Sequence, residues 1–444
     1  MDYNLVFIIL YFIILTVVIL TGRKKKSSGS YLIAERKLGV WATVSTLFST
    51  YRSASGFVAL VTLGVIFGLG AIWLTAGMLL SLFYLAIIVP KIRKLSDERK
   101  LLTIPDYFNE VFGKNSAFLV AILIVIMGLI FIIAQFFVSG NILVNLLPIS
   151  FFSATLLIGI PIAVYLFFRG YDSVVRTDVF QWLIIIVFLV IPFTLIGSSG
   201  LNVKVSSFLS PGWIGIAGFV ISGFFVTLMG ADTWQRIYSA KNVKTARTAL
   251  LITGPAFFIF NAVIVLFGIM LRNLVGGIAP DKVFYVGFQN ILSPLAASLL
   301  LIILLASIMS TIDTYVFVNS LTFVKNIFLR KNVNKKLIAK KTKIFLLIYL
   351  LLAMILVLFA SRFLNLVFGA TTILTIMAPS AVYSFYKYKK YKLKDWSVVL
   401  SIIFGVLVHL PLFFLGKFTT PIYLIYPLIA ASIGLLIGEV FIKK

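Results

Sequence analysis

Runs of about twenty apolar residues recur along the whole of this 444-residue chain, and no other feature restricts its fold so strongly. A run of that length crosses the hydrocarbon core of a bilayer as a helix. A soluble protein could not bury this much apolar surface: 61% of the residues are hydrophobic, 42 are Phe and only 12% are charged. A membrane β-barrel would alternate polar and apolar residues, and these runs do not alternate. The chain therefore reads as an all-α polytopic membrane protein. Thirteen spans are expected, at 4–21, 40–67, 70–90, 117–146, 151–168, 175–197, 213–231, 249–272, 294–324, 344–361, 364–386, 397–415 and 421–441.

The net charge of +26 raises the question of a nucleic-acid partner, and its distribution answers it. Of the 39 Lys and Arg, 33 fall in alternate loops or at the span ends beside them, five in or beside the loops between, and Arg52 lies deep inside a span. That asymmetry is a topology signal. It puts the N-terminus outside and the C-terminus in the cytoplasm of a multi-pass plasma-membrane protein. Some attraction to anionic lipid headgroups follows, and no nucleic-acid partner is expected. The first span carries its basic flank "RKKKSSGS" after it, as a retained helix does and a cleaved signal peptide does not.

Several activities are excluded at this level. The chain has no cysteine, so disulfides and thiolate chemistry are absent. Its single histidine, His409, lies in an apolar helix and is expected to be a packed residue. There is no GxxxxGK[ST] loop for an ATP-driven pump. No serine–histidine, metal or paired-carboxylate constellation marks an intramembrane enzyme. No obligate protein partner is evident. Two short helices are expected outside the spans, a membrane-surface one in "LLTIPDYFNEVFGK" and another in "APDKVFYVGFQNILSP".

Two spans are interrupted. Span 40–67 contains "FSTYRSASGFVA", which sets Arg52 among the hydroxyls of Ser49, Thr50, Tyr51, Ser53 and Ser55, with Gly56 behind. Span 213–231 runs into "ISGFFVTLMGADTWQR", with Gly223, Gly230 and Asp232. Interrupted helices at matching positions in two halves point to an inverted-repeat transporter with its site at mid-membrane. Close helix packing through small residues explains the same pattern equally well.

Charges at membrane depth are costly and mark functional candidates. Three are singled out: Arg52, Asp178 and Asp313. Asp178 opens a helix, where an aspartate is also an ordinary dipole partner. Beside Asp313, in "LLASIMSTIDTYVF", Ser307, Ser310 and Thr311 share one helical face. Such a face more often joins helices. Together with the free carbonyls of an unwound neighbour, it could also surround a small cation with hard oxygens.

At this point the residues resemble the sodium:solute symporter family over roughly 30–390. "YLIAERKLGVWATVSTLFSTYRSASGFVALVTLGVIFGLGAIW", "LLTIPDYFNEVFG", "GYDSVVRTDVFQ", "ADTWQRIYSAKNVKTAR" and "ASIMSTIDTYVFVNS" are similar to five family segments in the family's order. The resemblance implies a LeuT-type fold: an extra N-terminal helix (4–21), two inverted repeats (40–197 and 213–386) and two C-terminal helices (397–441). It implies a secondary active transporter that carries a small organic solute with sodium by alternating access. The implied sodium ligands are the carbonyls of Ser49, Arg52 and Ser307 and the hydroxyls of Ser310 and Thr311. Asp178 falls on the implied ion exit path, and Asp313 is a coupling candidate. The family's sugar-binding and proline-binding side chains are absent, which favours a small organic acid or amino acid. The substrate candidates are Arg52, Ser53, Ser55, Gly56, Gln135, Phe224 and Phe225, with an interhelical hydrogen bond the competing role for Gln135.

Arg52 departs from the family, which has an apolar residue there. Three readings stay open: a structural charge that snorkels or pairs with an acid such as Asp313, an anchor for a substrate carboxylate, or a built-in substitute for the sodium ion. The last would make the carrier proton-coupled or uncoupled. A non-transporting sensor of the same fold is the other alternative. It would act through a separate partner, since the sequence ends at "GEVFIKK".

Overall fold

The computed structural model describes residues 3–21, 27–195, 204–329, 333–387 and 394–441. The basic residues within 23–26, 330–331, 388–393 and 443–444, which the topology reading uses, lie outside the described residues, as do 196–197 at the end of the expected first repeat. In chain order the helices are α1 (Tyr3–Thr21), α2 (Ser28–Ile33), α3 (Val40–Tyr51), α4 (Ala54–Phe67), α5 (Ile72–Arg99), α6 (Ile104–Val111), α7 (Lys114–Leu146), α8 (Phe151–Arg169) and α9 (Tyr171–Ile186). They continue as α10 (Gly212–Leu228), α11 (Ala231–Ser239), α12 (Val243–Val275), α13 (Val283–Asn290), α14 (Pro294–Thr322), α15 (Lys335–Leu356), α16 (Phe363–Lys387), α17 (Asp395–Phe414) and α18 (Tyr426–Phe441). Among the described residues there is no strand, only one isolated bridge between Leu38 and Ala240.

By length and apolar character eleven described helical stretches can cross a bilayer, or up to twelve if the bent pair α10–α11 is one span. The expected thirteen is not established by that count. The difference includes Ala54–Arg99, taken as one stretch of 46 residues. At 1.5 Å per residue it is about 69 Å long, more than twice the bilayer core. Gly68, at φ +56, ends α4 inside it, and a Cβ there would stand 2.7 Å from Ser207 Oγ.

Burial sorts the helices into layers. α14 is enclosed on almost every side from Leu300 to Thr322, while α1 keeps most of its surface outward. α7, α9 and α3 pack around α14; α5 holds α10 and α12; α17 and α18 form a hairpin against α16. Two glycines allow the α5–α10 approach. A Cβ on Gly77 would meet Val220 O at 2.1 Å, and one on Gly223 would meet Leu74 O at 2.0 Å. Gly223 is therefore a packing glycine and not a helix break. His409 is buried, with Nδ1 3.0 Å from Thr372 Oγ1 and its ring against Phe418.

The helix in "LLTIPDYFNEVFGK" is α6, and it departs from the surface helix expected there. Thr103 caps it, its hydroxyl accepting from the Asp106 N–H while Asp106 accepts in return from the Thr103 N–H. Its residues from Ile104 to Phe108 are buried, with the Tyr107 ring against Trp234 and Phe385. The reason is a satisfied charge: Asp106 meets Lys325, Asn326 and the Leu102 N–H. Burial alone would raise this carboxyl, but the Lys325 cation and these hydrogen bonds outweigh it and hold the group below its ordinary value. The expected short helix in "APDKVFYVGFQNILSP" is present as α13.

Candidate functional site

Both interrupted spans break, and the breaks face each other. α3 stops at Tyr51 and α4 starts at Ala54, with Ser53 capping it through the Gly56 N–H at 2.9 Å. α10 stops at Leu228 and α11 starts at Ala231, bent by 42° with Gly230 between. The Tyr51 hydroxyl lies 2.6 Å from Thr233 Oγ1 and so joins the two breaks.

A helix that ends leaves its last four carbonyls without intrahelical partners. In α3 the Arg52 N–H still closes onto Phe48 O, so the free carbonyls are those of Ser49, Thr50, Tyr51 and Arg52. α14 meets two of them. Ser310 Oγ donates to Ser49 O at 3.0 Å, and Thr311 Oγ1 to Thr50 O at 3.3 Å. The same hydroxyls lie 3.2 and 2.9 Å from Ser307 O. Four of the five expected oxygens thus stand together: Ser49 O, Ser307 O, Ser310 Oγ and Thr311 Oγ1. The Thr50 carbonyl, which sequence reasoning did not include, joins them. No described hydrogen bond ties the Arg52 carbonyl to α14.

Beside this set lies a buried ion network that the sequence only half disclosed. Asp178 pairs with Arg236 at 3.1 Å, and neither side chain has any exposure. Arg236 Nη2 also lies 2.7 Å from Thr50 Oγ1 and 2.8 Å from Thr314 Oγ1, and its Nε donates to Thr46 Oγ1 at 3.0 Å. The positive-inside count placed Arg236 in a loop, but α11 turns it into the protein. A signal was available: Asp232 and Arg236 are four apart, directly after the Gly230 break. Ser49 is tied to the same region, its hydroxyl donating to the Asp178 carbonyl at 2.9 Å.

Asp313 accepts from Tyr165 at 2.7 Å and Thr177 at 3.2 Å. It does not pair with Arg52, contrary to one reading of the sequence. Two residues along a helix turn the side chain by about 200°, so Asp313 faces α8 and α9 while Thr311 faces α3. Arg52 is buried. It reaches Asn261 Oδ1 and stands 5.8 Å over the Phe57 ring and 5.7 Å over Phe257. No described carboxylate makes an ion pair with it. Gly56 leaves room for it: a Cβ there would be 2.9 Å from Arg52 Nη2.

Arg52, Ser53 and Gly56 border a cavity of about 110 Å³ that reaches both breaks. Five buried polar atoms on its wall have no protein partner: Arg52 Nε, Ser222 Oγ, Thr227 Oγ1, Asp232 Oδ2 and Asn261 Nδ2. Buried polar atoms are almost always satisfied, so a cluster of five around one cavity suits a polar ligand. Sequence reasoning noted Asp232 beside the Gly230 break but placed none of Ser222, Thr227, Asp232 and Asn261 among the substrate candidates, because they come from α10, α11 and α12, far from Arg52 in the chain. The other substrate candidates fall elsewhere. Phe224 and Phe225 do not line the cavity; Phe224 packs on Tyr84, because the cavity face of α10 is that of Ser222, Val226 and Thr227. Ser55 and Gln135 satisfy each other, at 2.5 and 3.1 Å, in the interhelical role weighed for Gln135.

Comparison with known proteins gives this arrangement its relatives. The model of the sodium:solute symporter family matches residues 31–390. A sodium/pantothenate symporter of Haemophilus influenzae is 25% identical over 362 residues, 76% of this chain and 74% of that protein. A sodium/proline symporter of Staphylococcus aureus is 22% identical over 355 residues, 73% of this chain and 68% of that protein. Among solved structures, a Na+-coupled sialic acid symporter in a substrate-bound outward-open state superposes with a TM-score of 0.78 at 16% identity, over 99% of this chain and 98% of that one. A nucleobase-cation-symport-1 family transporter gives 0.55 at 14% identity, over 93% and 95%. The LeuT-type fold is thereby shared.

Proposed function

The chain belongs to the sodium:solute symporter family, and from that premise we propose that it imports a small zwitterionic solute with sodium, the ion held where α3 breaks against α14. It is a multi-pass membrane transporter and not an enzyme, and sodium is the coupling ion. The reading of the ion site rests on one observation: the Ser310 and Thr311 hydroxyls meet the freed Ser49 and Thr50 carbonyls beside Ser307 O. Hard neutral oxygens from a broken helix and its neighbour are the donor set that sodium takes in such folds. An ion held there draws α3 and α14 together, which links its binding to the shape of the adjoining cavity. Asp178, beside Ser49, lies on the ion's exit path, and Arg236 closes that path until the pair separates. Asp313, held by Tyr165 and Thr177, is the coupling candidate next to this pair.

For the solute, a cavity of about 110 Å³ has room for a small molecule. A guanidinium suits a carboxylate, and proline and pantothenate, the solutes named for the relatives, both carry one. Asp232 on the same wall suits an ammonium group, which favours an amino acid over a simple organic acid. The Arg52 guanidinium rests on Asn261 and makes no described hydrogen bond with Ser307, Ser310 or Thr311, which weighs against its acting as a built-in cation.

The rest of the reading is topological. We take Ala54–Arg99 as two crossings, 40–197 and 213–386 as the inverted repeats, the N-terminus as outside and the C-terminus as cytoplasmic. The test is thermal unfolding of the purified protein in sodium, potassium and choline chloride at equal ionic strength and two pH values, followed by counterflow with labelled amino acids. A sodium-specific rise in stability and sodium-dependent exchange are expected. A pH effect with no sodium effect would point to proton coupling, and absence of any exchange to a sensor.

A further inference from the structure

A second cavity lies apart from the central one. A groove of about 1090 Å³ runs between α1, α8 and α15, roughly ten times the volume of the cavity at Arg52. Its walls are apolar for most of their length, with Phe12, Leu15 and Ile19 from α1 facing Leu157, Ile160 and Val164 from α8. Ile160 and Val164 are also exposed on the outer face of α8, so the groove opens sideways to the membrane.

One end is different. Lys336, Lys340 and Lys343 stand there at i, i+4 and i+7 on α15, on one helical face. The ends of α1 and α8 lie at the same level, since Arg169 Nη2 donates to Leu20 O at 3.2 Å. Lys336 and Lys340 are exposed, and neither makes an ion pair with a described carboxylate. Lys343 is held over the rings of Tyr31, at 5.1 Å, and Phe167, at 5.5 Å. One carboxylate, Asp172, borders the groove, but it is engaged by Arg176 at 2.9 Å. The groove thus combines a long apolar trough, a lateral opening and a rim of uncompensated cations.

We propose that this groove is a binding site for one anionic phospholipid, its acyl chains in the trough between α1 and α8 and its phosphate on Lys336, Lys340 and Lys343. Both halves of the molecule are matched, by apolar burial along the walls and by charge at the rim. A small polar solute would leave the trough unfilled. A neutral lipid would leave the rim without a counter-charge. The lipid would join α1 to α8 and α15, and it would lie against Tyr165, which borders the groove and donates to Asp313. The site is independent of the sodium reading, and its test uses lipid retention alone.

The test is native mass spectrometry of the full chain in detergent with added dioleoylphosphatidylglycerol or dioleoylphosphatidylcholine. The wild type is expected to retain one phosphatidylglycerol in preference to phosphatidylcholine. Lys336→Gln with Lys340→Gln and Lys343→Gln should lower that retention by more than about tenfold. Neutralising Lys241, Lys244 and Arg247, cations outside the groove, should leave it unchanged. Should the triple variant fail to fold, Val164→Trp keeps the rim and fills the trough, and it too should displace the lipid. Glycerophosphoglycerol, the headgroup without chains, should not compete; competition by it would mean a phosphate site only. Equal retention of the two lipids by the wild type, or undiminished phosphatidylglycerol in both variants, would overturn the proposal.

Discussion

Removing the two hydroxyls of the ion site, Ser310→Ala with Thr311→Ala, separates its structural role from its role in binding. Each hydroxyl satisfies a carbonyl freed by the α3 break, at 3.0 Å for Ser310 to Ser49 and 3.3 Å for Thr311 to Thr50. Leaving a buried acceptor unpaired costs about 1–3 kcal/mol. With two such acceptors, the double variant should be less stable in choline chloride by about 2–6 kcal/mol. The effect on sodium comes on top of this. An interaction with a charged group contributes about 1.5–3 kcal/mol, so losing two oxygen ligands removes at least about 2.8 kcal/mol once water fills part of the gap. That is roughly a hundredfold in dissociation constant. At a sodium concentration a hundred times the wild-type Kd, the ion stabilises the wild type by about 2.7 kcal/mol. The same concentration then only equals the variant's Kd and stabilises it by about 0.4 kcal/mol. The assay is the difference between unfolding in sodium and in choline chloride, which cancels the structural cost. An undiminished sodium increment in the double variant refutes the assignment of Ser307, Ser310 and Thr311.

Three further outcomes are expected. Arg236→Met strands the fully buried Asp178 and should destabilise by about 3–5 kcal/mol; adding Asp178→Asn should recover part of this, and strict additivity in the double-mutant cycle would show that the two do not act as a pair. Arg52→Met and Asp232→Asn should each abolish amino-acid counterflow while sparing the sodium increment in stability, and loss of that increment in either would place the residue in the ion site instead. Asp106 is held below its ordinary value, so its contribution to stability is present above the unfolded carboxylate range and is lost as pH falls through the folded value. The stability of Asp106→Asn should accordingly fall less steeply with acid, and an unchanged acid limb would show that Asp106 does not carry it.

Residues near one another in the chain were legible from it. The break at Arg52 and Ser53 followed from hydroxyls and a glycine inside an apolar run, and the Ser307–Ser310–Thr311 face followed from helical spacing. Buried partners from distant helices were harder to read. Asp232 and Arg236 sit just past a span, and Arg236 counted as a loop charge, yet the 42° bend at Gly230 turns both inward. The amphipathic stretch of α6 looked like a surface helix because its neutralising partner, Lys325, lies more than two hundred residues later. Phe224 and Phe225 were candidates by position along α10, but which face of that helix meets the cavity depends on Gly77 and Gly223 setting how closely α5 approaches.

By itself the sequence determined that this chain spans a membrane as helices, that its cations gather in alternate loops and where its helices break. Those properties follow from local rules: apolar length against bilayer thickness, charge asymmetry across it, and backbone groups that hydroxyls and glycines free. The tertiary structure alone decided that Arg52 rests on Asn261 and not on Asp313, that Arg236 answers Asp178, and that Asp232 shares a cavity wall with Arg52. A buried charge takes its partner from whichever helix the packing brings within reach, and helix rotation and close approach are set by contacts spread over the whole fold.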